Sequence, residues 1–361
     1  MIPHLAETAP TPSSESSRGT QSAFWSNLAW NIGPIILGLV ITTFALIVVG
    51  SDPIKAYTVM WNGAFGDAVR VGNVTLAWVP ILLAAVGLLI TFTAGLWNIG
   101  IEGQIVFGAI FTTWAARTFN LPTPILIPLL FAMGALGGAL WALLAGVLKT
   151  YGHVHEIFGG LGLNFIATGA TLYLILGPWA RTGIASTSGT ELFRENAWLP
   201  TFPGQPIGPI EIVVALVSLV IVYFALRGTV WGLKLKAIGK NVRSAFWLGI
   251  PTNAQMLGAF ALCGVFAGIA GTVQAIGVWH RLIPSVSGGY GYLGILVVLL
   301  SGFQAIGTPF IAFFFAAVTK GSVSLPLDLQ VDSSLGGVLQ GIIVLLFVLS
   351  QGVRAKTKSV K

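Results

Sequence analysis

The segment AGLWNIGIEGQIVFGA, residues 94–109, places a tryptophan, two amides and a carboxylate inside an otherwise apolar, glycine-rich run. Trp97 offers a π-face, Asn98 and Gln104 offer both donors and acceptors, and Glu102 offers a charge that accepts hydrogen bonds. An ionised carboxylate near the centre of a bilayer costs at least ~2.5 kcal/mol, so it is held in a bundle interior or against a water-filled path. If residues 98–110 are helical, Asn98 and Glu102 share one face, while Gly100, Gln104 and Gly108 share a nearly opposite one. One face then lines a translocation path and the glycine face admits a neighbouring helix, with Gln104 bonding across. Two readings of Glu102 stay open: contact with a transported solute, or an architectural hydrogen bond or ion pair that fixes the turn. For Trp97 and Asn98 the second reading is interfacial anchoring or helix capping.

Other reactive groups are sparse. His153, His155 and Glu156 stand together where a helix begins, and Glu156 there complements the positive end of the helix dipole. A metal would need a third convergent ligand, and none is close in sequence. The single cysteine, Cys263, lies in an apolar run, so there is no disulfide framework and no redox pair. The phosphate-cradling pattern GxxxxGK[ST] is absent; its nearest approach, Gly239–Lys240, continues into Asn241. HExxH and GxSxG are absent too, so the chain reads as neither an ATPase nor a membrane enzyme. A secondary transporter would need coupling groups such as carboxylates or histidines in the membrane, and Glu102 is the only carboxylate deep in a predicted span, Glu156 and Glu211 lying near ends.

The elements that carry these residues are set by composition. Only 8% of the 361 residues are charged and 55% are hydrophobic, against roughly 25% charged in soluble domains. The mean hydropathy is +0.89, so the solvent is lipid. Apolar runs predict an all-α polytopic membrane protein with about ten transmembrane helices, near 33–50, 76–95, 101–118, 123–148, 156–177, 209–226, 254–279, 290–302, 307–323 and 335–351. Residues 1–28, rich in Ser, Thr and Pro, read as a disordered cytoplasmic tail, residues 29–351 as one transmembrane domain, and residues 352–361 as a basic cytoplasmic tail. Two dense cationic clusters, Arg227 to Arg243 and Arg354 to Lys361, fall on the same side of this topology, which places both termini in the cytoplasm. The +7 balance forms no continuous stripe and does not point to nucleic acid.

Three connecting segments exceed simple turns. Residues 178–208, outside on this topology, are rich in turn-formers with apolar anchors Trp198, Leu199 and Phe202, and read either as a partner-receiving loop or as a packed one. Residues 51–75 suggest an interfacial helix. The inner loop, residues 227–251, is basic, too polar to span, and broken at Gly239 into two pieces. Its second piece sets Val242, Ala245, Phe246 and Gly249 at helical spacing, which suits docking into a partner's groove or an ordinary solvated loop. The ladder Gly134, Gly138, Ala142, Gly146 and the pair Gly264, Gly268 read as close-packing seams. AGLW at 94–97 and IGVW at 276–279 each close a long apolar helix, five helices apart, which suggests an inverted 5+5 repeat. Trp279, His280, Ser285 and Ser287 would then be counterparts of the first motif, near the outer mouth.

GLWNIGIEGQ at 95–104 resembles the hallmark of ABC transporter permeases in the simple-sugar, branched-chain amino acid and nucleoside family, and is most similar to nucleoside permeases. WGLKLKAIGKN followed by AFWLGI resembles that family's cytoplasmic coupling loop, with Gly232, Ala237, Gly239, Ala245, Gly249 and Ile250 matching. The resemblance covers about residues 33–351. It implies a multi-pass cell-membrane permease subunit of an ATP-driven importer. Its partners would be cytoplasmic ATPase subunits, a second permease, identical or homologous, and an extracytoplasmic substrate-binding protein. This chain would bind no cofactor, ATP being used by the ATPase. The solute would be a nucleoside, with a monosaccharide as the alternative. Trp97, Asn98, Glu102 and Gln104 would line the path. Gly232, Lys236, Ala237, Gly239, Val242, Ala245, Phe246 and Gly249 would couple to the ATPase.

Overall fold

In a computed structural model, which describes residues 36–359 except 45, 49, 182–186 and 331, every regular element among the described residues is helical. The tail expected at residues 1–28 lies outside the described residues. The chain divides into two units. The first, residues 1–51 with 338–361, contains α1 (Ile36–Val48) and most of α14 (Leu335–Ser359). Within it Gly38 lies so close to α14 that a β-carbon would stand 2.6 Å from Ile343 Cγ1. Helix α14 continues through residues 352–359, most of the segment expected to be a tail.

The second unit, residues 52–337, holds the remaining elements. They are α2 (Pro53–Phe65), α3 (Ala68–Thr93), α4 (Ile101–Thr118), α5 (Thr123–Thr150), α6 (Glu156–Leu176), α7 (Pro209–Gly228), α8 (Val230–Lys240) and α9 (Val242–Trp247). Then come α10 (Thr252–Val273), whose π-helical extension covers Gln274–Val278, α11 (Tyr290–Leu300), α12 (Thr308–Ser322) and α13 (Leu325–Leu329). Each predicted span overlaps a helix, but among the described residues six stretches are long and apolar enough to cross a membrane, or seven if α1 and Pro53–Phe65 make one broken span. The six are α3, α5, α6, α7, α10 with its extension, and α12 with α13. The expected count of ten therefore does not follow from helix length and apolarity.

Beyond its first two turns helix α3 is almost wholly apolar, and it is the most enclosed of the six, 89% of its apolar stretch being buried. It begins at Ala68, eight residues before the expected start, because Asp67 caps it by accepting from Arg70 N at 2.8 Å. The two predicted glycine seams are the two sides of one interface. A β-carbon on Gly138 would collide with the Gly264 carbonyl oxygen, and one on Gly268 with that of Gly134, so α5 and α10 approach backbone to backbone. Gly108 of α4 meets Gly268 in the same way. Thr112 and Thr272 hydroxyls join 2.8 Å apart across this contact. The inner loop breaks at Asn241 and not at Gly239. The Asn241 side chain accepts from Ser244 N at 2.9 Å and starts α9, while Gly239 stays helical in α8.

Candidate functional site

The site forms where α3 stops and α4 begins. Residues 94–100 make a turn, so the helix considered from residue 98 starts only at Ile101, and Asn98 folds back and pairs with Gln104 instead of sharing a face with Glu102. Asn98 Nδ2 donates to Gln104 Oε1 at 3.1 Å, and Gln104 Nε2 returns a bond to Asn98 Oδ1 at 2.9 Å. Asn98 Nδ2 also donates to Cys263 Sγ at 3.1 Å. Cys263 stands eleven residues into α10, which at ~1.5 Å per residue is roughly 16 Å, about half the thickness of a hydrocarbon core. Asn98 thus packs against the buried face of a membrane-spanning helix, where freed backbone groups need partners from the protein.

The polar side chains supply those partners. Asn164 of α6 accepts from Gly103 N at 2.8 Å and donates to Ile99 O at 3.0 Å and to Tyr292 Oη at 3.2 Å. It reaches the turn because Gly160 lets α6 come close: a β-carbon there would stand 2.6 Å from Gly100 N. Glu102 points the other way, to the start of α11. Its Oε1 accepts from Gly289 N at 2.9 Å and its Oε2 from Gly291 N at 2.8 Å, while the Ser287 side chain also faces the carboxylate. Glu102 lies in the first turn of α4, so one negative charge serves the positive ends of two helices. Gly289, at φ +74°, provides the left-handed turn that brings the chain into this cap. Asn98, Glu102 and Gln104 are buried, whereas Trp97 is 41% exposed and packs on Phe92 at 5.2 Å between ring centroids.

The second motif touches the first. A β-carbon on Gly95, itself at φ +73°, would stand 3.3 Å from Gly239 Cα, and one on Gly239 would collide with the Thr93 carbonyl oxygen. The end of α8 therefore rests directly on the backbone where α3 gives way to the turn. Gly232 is equally tight, its β-carbon position 2.5 Å from Ala225 O, and it fixes the bend between α7 and α8. On α9, Ala245 turns inward, while Phe246, Trp247 and the capping Leu248 just after it are 62%, 76% and 79% exposed. Val242 and Phe246 are both exposed but Ala245 is not, and Gly249 lies beyond the helix at φ +79°, so the four do not form one stripe. Lys236 and Ala237 lie on α8, Lys236 exposed.

Residues 70–348 match the family described as "Branched-chain amino acid transport system / permease component". The chain belongs to that family. It is 29% identical over 325 residues to the guanosine ABC transporter permease protein NupP of Bacillus subtilis, covering 89% of this chain and 92% of that one. It is also 29% identical over 327 residues to the glucose ABC transporter permease protein TsgB13 of Haloferax volcanii, covering 88% and 86%. The nucleoside ABC transporter permease protein NupB of Lactococcus lactis is 26% identical over 303 residues, covering 81% and 83%. No solved structure matches. The protein is a multi-pass membrane permease subunit and not an enzyme; the family implies separate ATPase and substrate-binding partners.

Elsewhere in the permease, His155 caps α6 by accepting from Ile157 N at 3.4 Å, and Glu156 forms an ion pair with Lys149. Among the described residues no cluster of His, Cys, Asp and Glu could hold a metal. Of the anchors expected in the 178–208 loop, Trp198 packs on His280 with the rings tilted by 38° and their centroids 4.2 Å apart, and Leu199 N donates to Ile276 O at 3.2 Å, whereas Phe202 is 43% exposed. Ser287, expected near the outer mouth, stands beside Glu102. The sequence reading missed Gly289, Gly291 and Tyr292, whose only local signal is the GGYGY run that opens α11.

Proposed function

We propose that this permease forms one half of a nucleoside importer and is driven by an ATPase that docks on α8 and α9 from the cytoplasm. The contact between Gly95 and Gly239 carries the coupling half of this reading. A push on α9 passes through α8 to the broken backbone at 94–100 without crossing a flexible side chain. The cationic residues of 227–251 and the exposed Phe246 and Trp247 support a cytoplasmic docking surface. A second permease subunit, identical or homologous, would complete the path.

Between the two readings of the motif, the geometry favours the architectural one for Asn98, Glu102 and Gln104, since each is buried and bonded within the chain. Trp97 and Tyr292, 41% and 42% exposed on either side of the break, are left as the aromatic faces available to a nucleobase. The motif and the guanosine and nucleoside relatives support a nucleoside; the glucose relative supports a monosaccharide as the second reading. Uptake of radiolabelled guanosine, cytidine and glucose is measured in cells with and without the chain. Loss of nucleoside uptake alone on deletion supports the first reading; loss of glucose uptake alone replaces it with the second.

A further inference from the structure

A cavity of about 370 Å³ opens where the C-terminal ends of α3 and α7 meet α8 and the turn at 301–307. Its walls carry Arg227, Lys236, the hydroxyls of Thr93 and Tyr223, and the apolar side chains of Leu226 and Ile306. No Asp or Glu lines it, and neither cation has an ion-pair partner among the described residues. Arg227 Nη1 donates to Tyr223 Oη at 2.6 Å, with the guanidinium 5.5 Å from that ring, and Lys236 Nζ makes no hydrogen bond among the described residues. Two cations lining one cavity without a counter-ion repel each other, so the site favours an anion.

Position and lining select the kind of anion. Arg227 is the penultimate residue of the span α7, which sets both cations at a membrane surface. Ile306 is 63% exposed and, with Leu226, gives the cavity an apolar wall beside its two cations. We propose that this cavity binds an anionic phospholipid, its phosphodiester held by Arg227 and Lys236 and an acyl chain laid against Leu226 and Ile306. Basic pockets between helix ends suit such headgroups. A bound lipid would brace α8 against α3 and α7, beside the contact of Gly239 with Gly95. The inference rests on α3 and α7 crossing the membrane and not on which solute is carried.

The purified transporter is placed in nanodiscs of phosphatidylcholine with phosphatidylglycerol, released into mild detergent, and the retained phosphatidylglycerol is counted by native mass spectrometry. Replacing both cations, Arg227→Gln with Lys236→Gln, is expected to weaken retention roughly 30-fold, about 2 kcal/mol. Lys234→Gln with Arg243→Gln removes the same charge from the same surface outside the cavity, and is expected to leave retention within about twofold. Ile306→Trp keeps the cations and fills the apolar side, so retention is expected to fall with it as well. Equal loss in the two charge pairs, or full retention in Ile306→Trp, overturns the site. Displacement of the lipid by excess inorganic phosphate in wild type also overturns it, because the anion bound would then be phosphate.

Discussion

Glu102 Oε2 accepts the Gly291 N–H at 2.8 Å, so a residue in the first turn of α4 caps the first turn of α11. The two helices are separated by almost two hundred residues of chain, yet they begin at one carboxylate. This explains an acid in an otherwise apolar run: two N-terminal dipole ends and two helix-start amides meet in the buried interior, and the carboxylate is their acceptor.

Glu102→Gln should therefore act on the fold before it acts on the solute. The amide keeps one acceptor oxygen and turns an NH2 donor towards a backbone N–H, which loses a charge-assisted bond of about 1.5–3 kcal/mol. Thermal unfolding of the purified permease should shift down. Uptake per folded molecule should keep its apparent affinity for the solute. A changed affinity with unchanged unfolding would show that Glu102 touches the solute.

Asn98 and Gln104 make a closed pair, so removing one amide orphans the other. Asn98→Leu or Gln104→Leu alone should each destabilise by ~1–3 kcal/mol, and the double replacement should cost less than the sum of the two. A double-mutant cycle on thermal unfolding reads the coupling. Simple additivity would mean that the pair is not a unit.

How far this was legible follows from range. The bounds of α4, residues 101–118, are readable because the glycine-rich turn before it and the polar end after it are local signals. The fold-back of Asn98 is not, since continuing the helix from 98 satisfies the same local pattern. Asn164 and Gly291 act from 61 and 189 residues away, and no periodicity links them to the motif. Asn241 was a readable cap three residues before Ser244, yet Gly239 looked the stronger breaker; its missing side chain serves close packing on Thr93 instead of a bend. The six apolar helices were legible from composition, and the polar break between α3 and α4 only as a place where something had to be satisfied.

Gly239→Ala tests that packing. Its β-carbon meets the Thr93 carbonyl, a backbone atom that cannot step aside as a side chain does. The strain expected is ~1–3 kcal/mol, relieved by lifting α8 off the turn. In proteoliposomes containing the whole transporter, uptake per ATP hydrolysed should fall several-fold while ATP hydrolysis persists. An unchanged ratio would remove the contact from the coupling route.

His280 packs against the Trp198 ring, and its carbonyl accepts from Phe193 N at 2.7 Å, so it anchors the 187–208 segment. Burial holds its imidazole below the usual histidine value. The folded state therefore binds fewer protons than the unfolded one. Stability from this residue is full above the unfolded value near ~6.5 and is lost as pH falls through the lower folded one. Amide hydrogen exchange at Phe193, corrected for its intrinsic pH dependence, should lose protection as pH is lowered through this range in wild type. It should change less in His280→Gln. Equal behaviour of the two would assign the anchoring to the backbone bonds alone.

Phe246 and Trp247 are the last link, because α9 exposes both while Ala245 holds the helix to the protein. Large aromatic groups left in water at the end of a basic loop are what a partner's groove would cover, and central aromatic anchors contribute ≥ ~2 kcal/mol to such contacts. Phe246→Ser with Trp247→Ser should leave the permease folded and in the membrane, since neither side chain is buried in it. Co-purification with the ATPase should fall at least ~30-fold, the equivalent of that energy. Retained ATPase binding in this variant would move the docking surface off α9 and leave the rigid path from α8 to Gly95 without a driver.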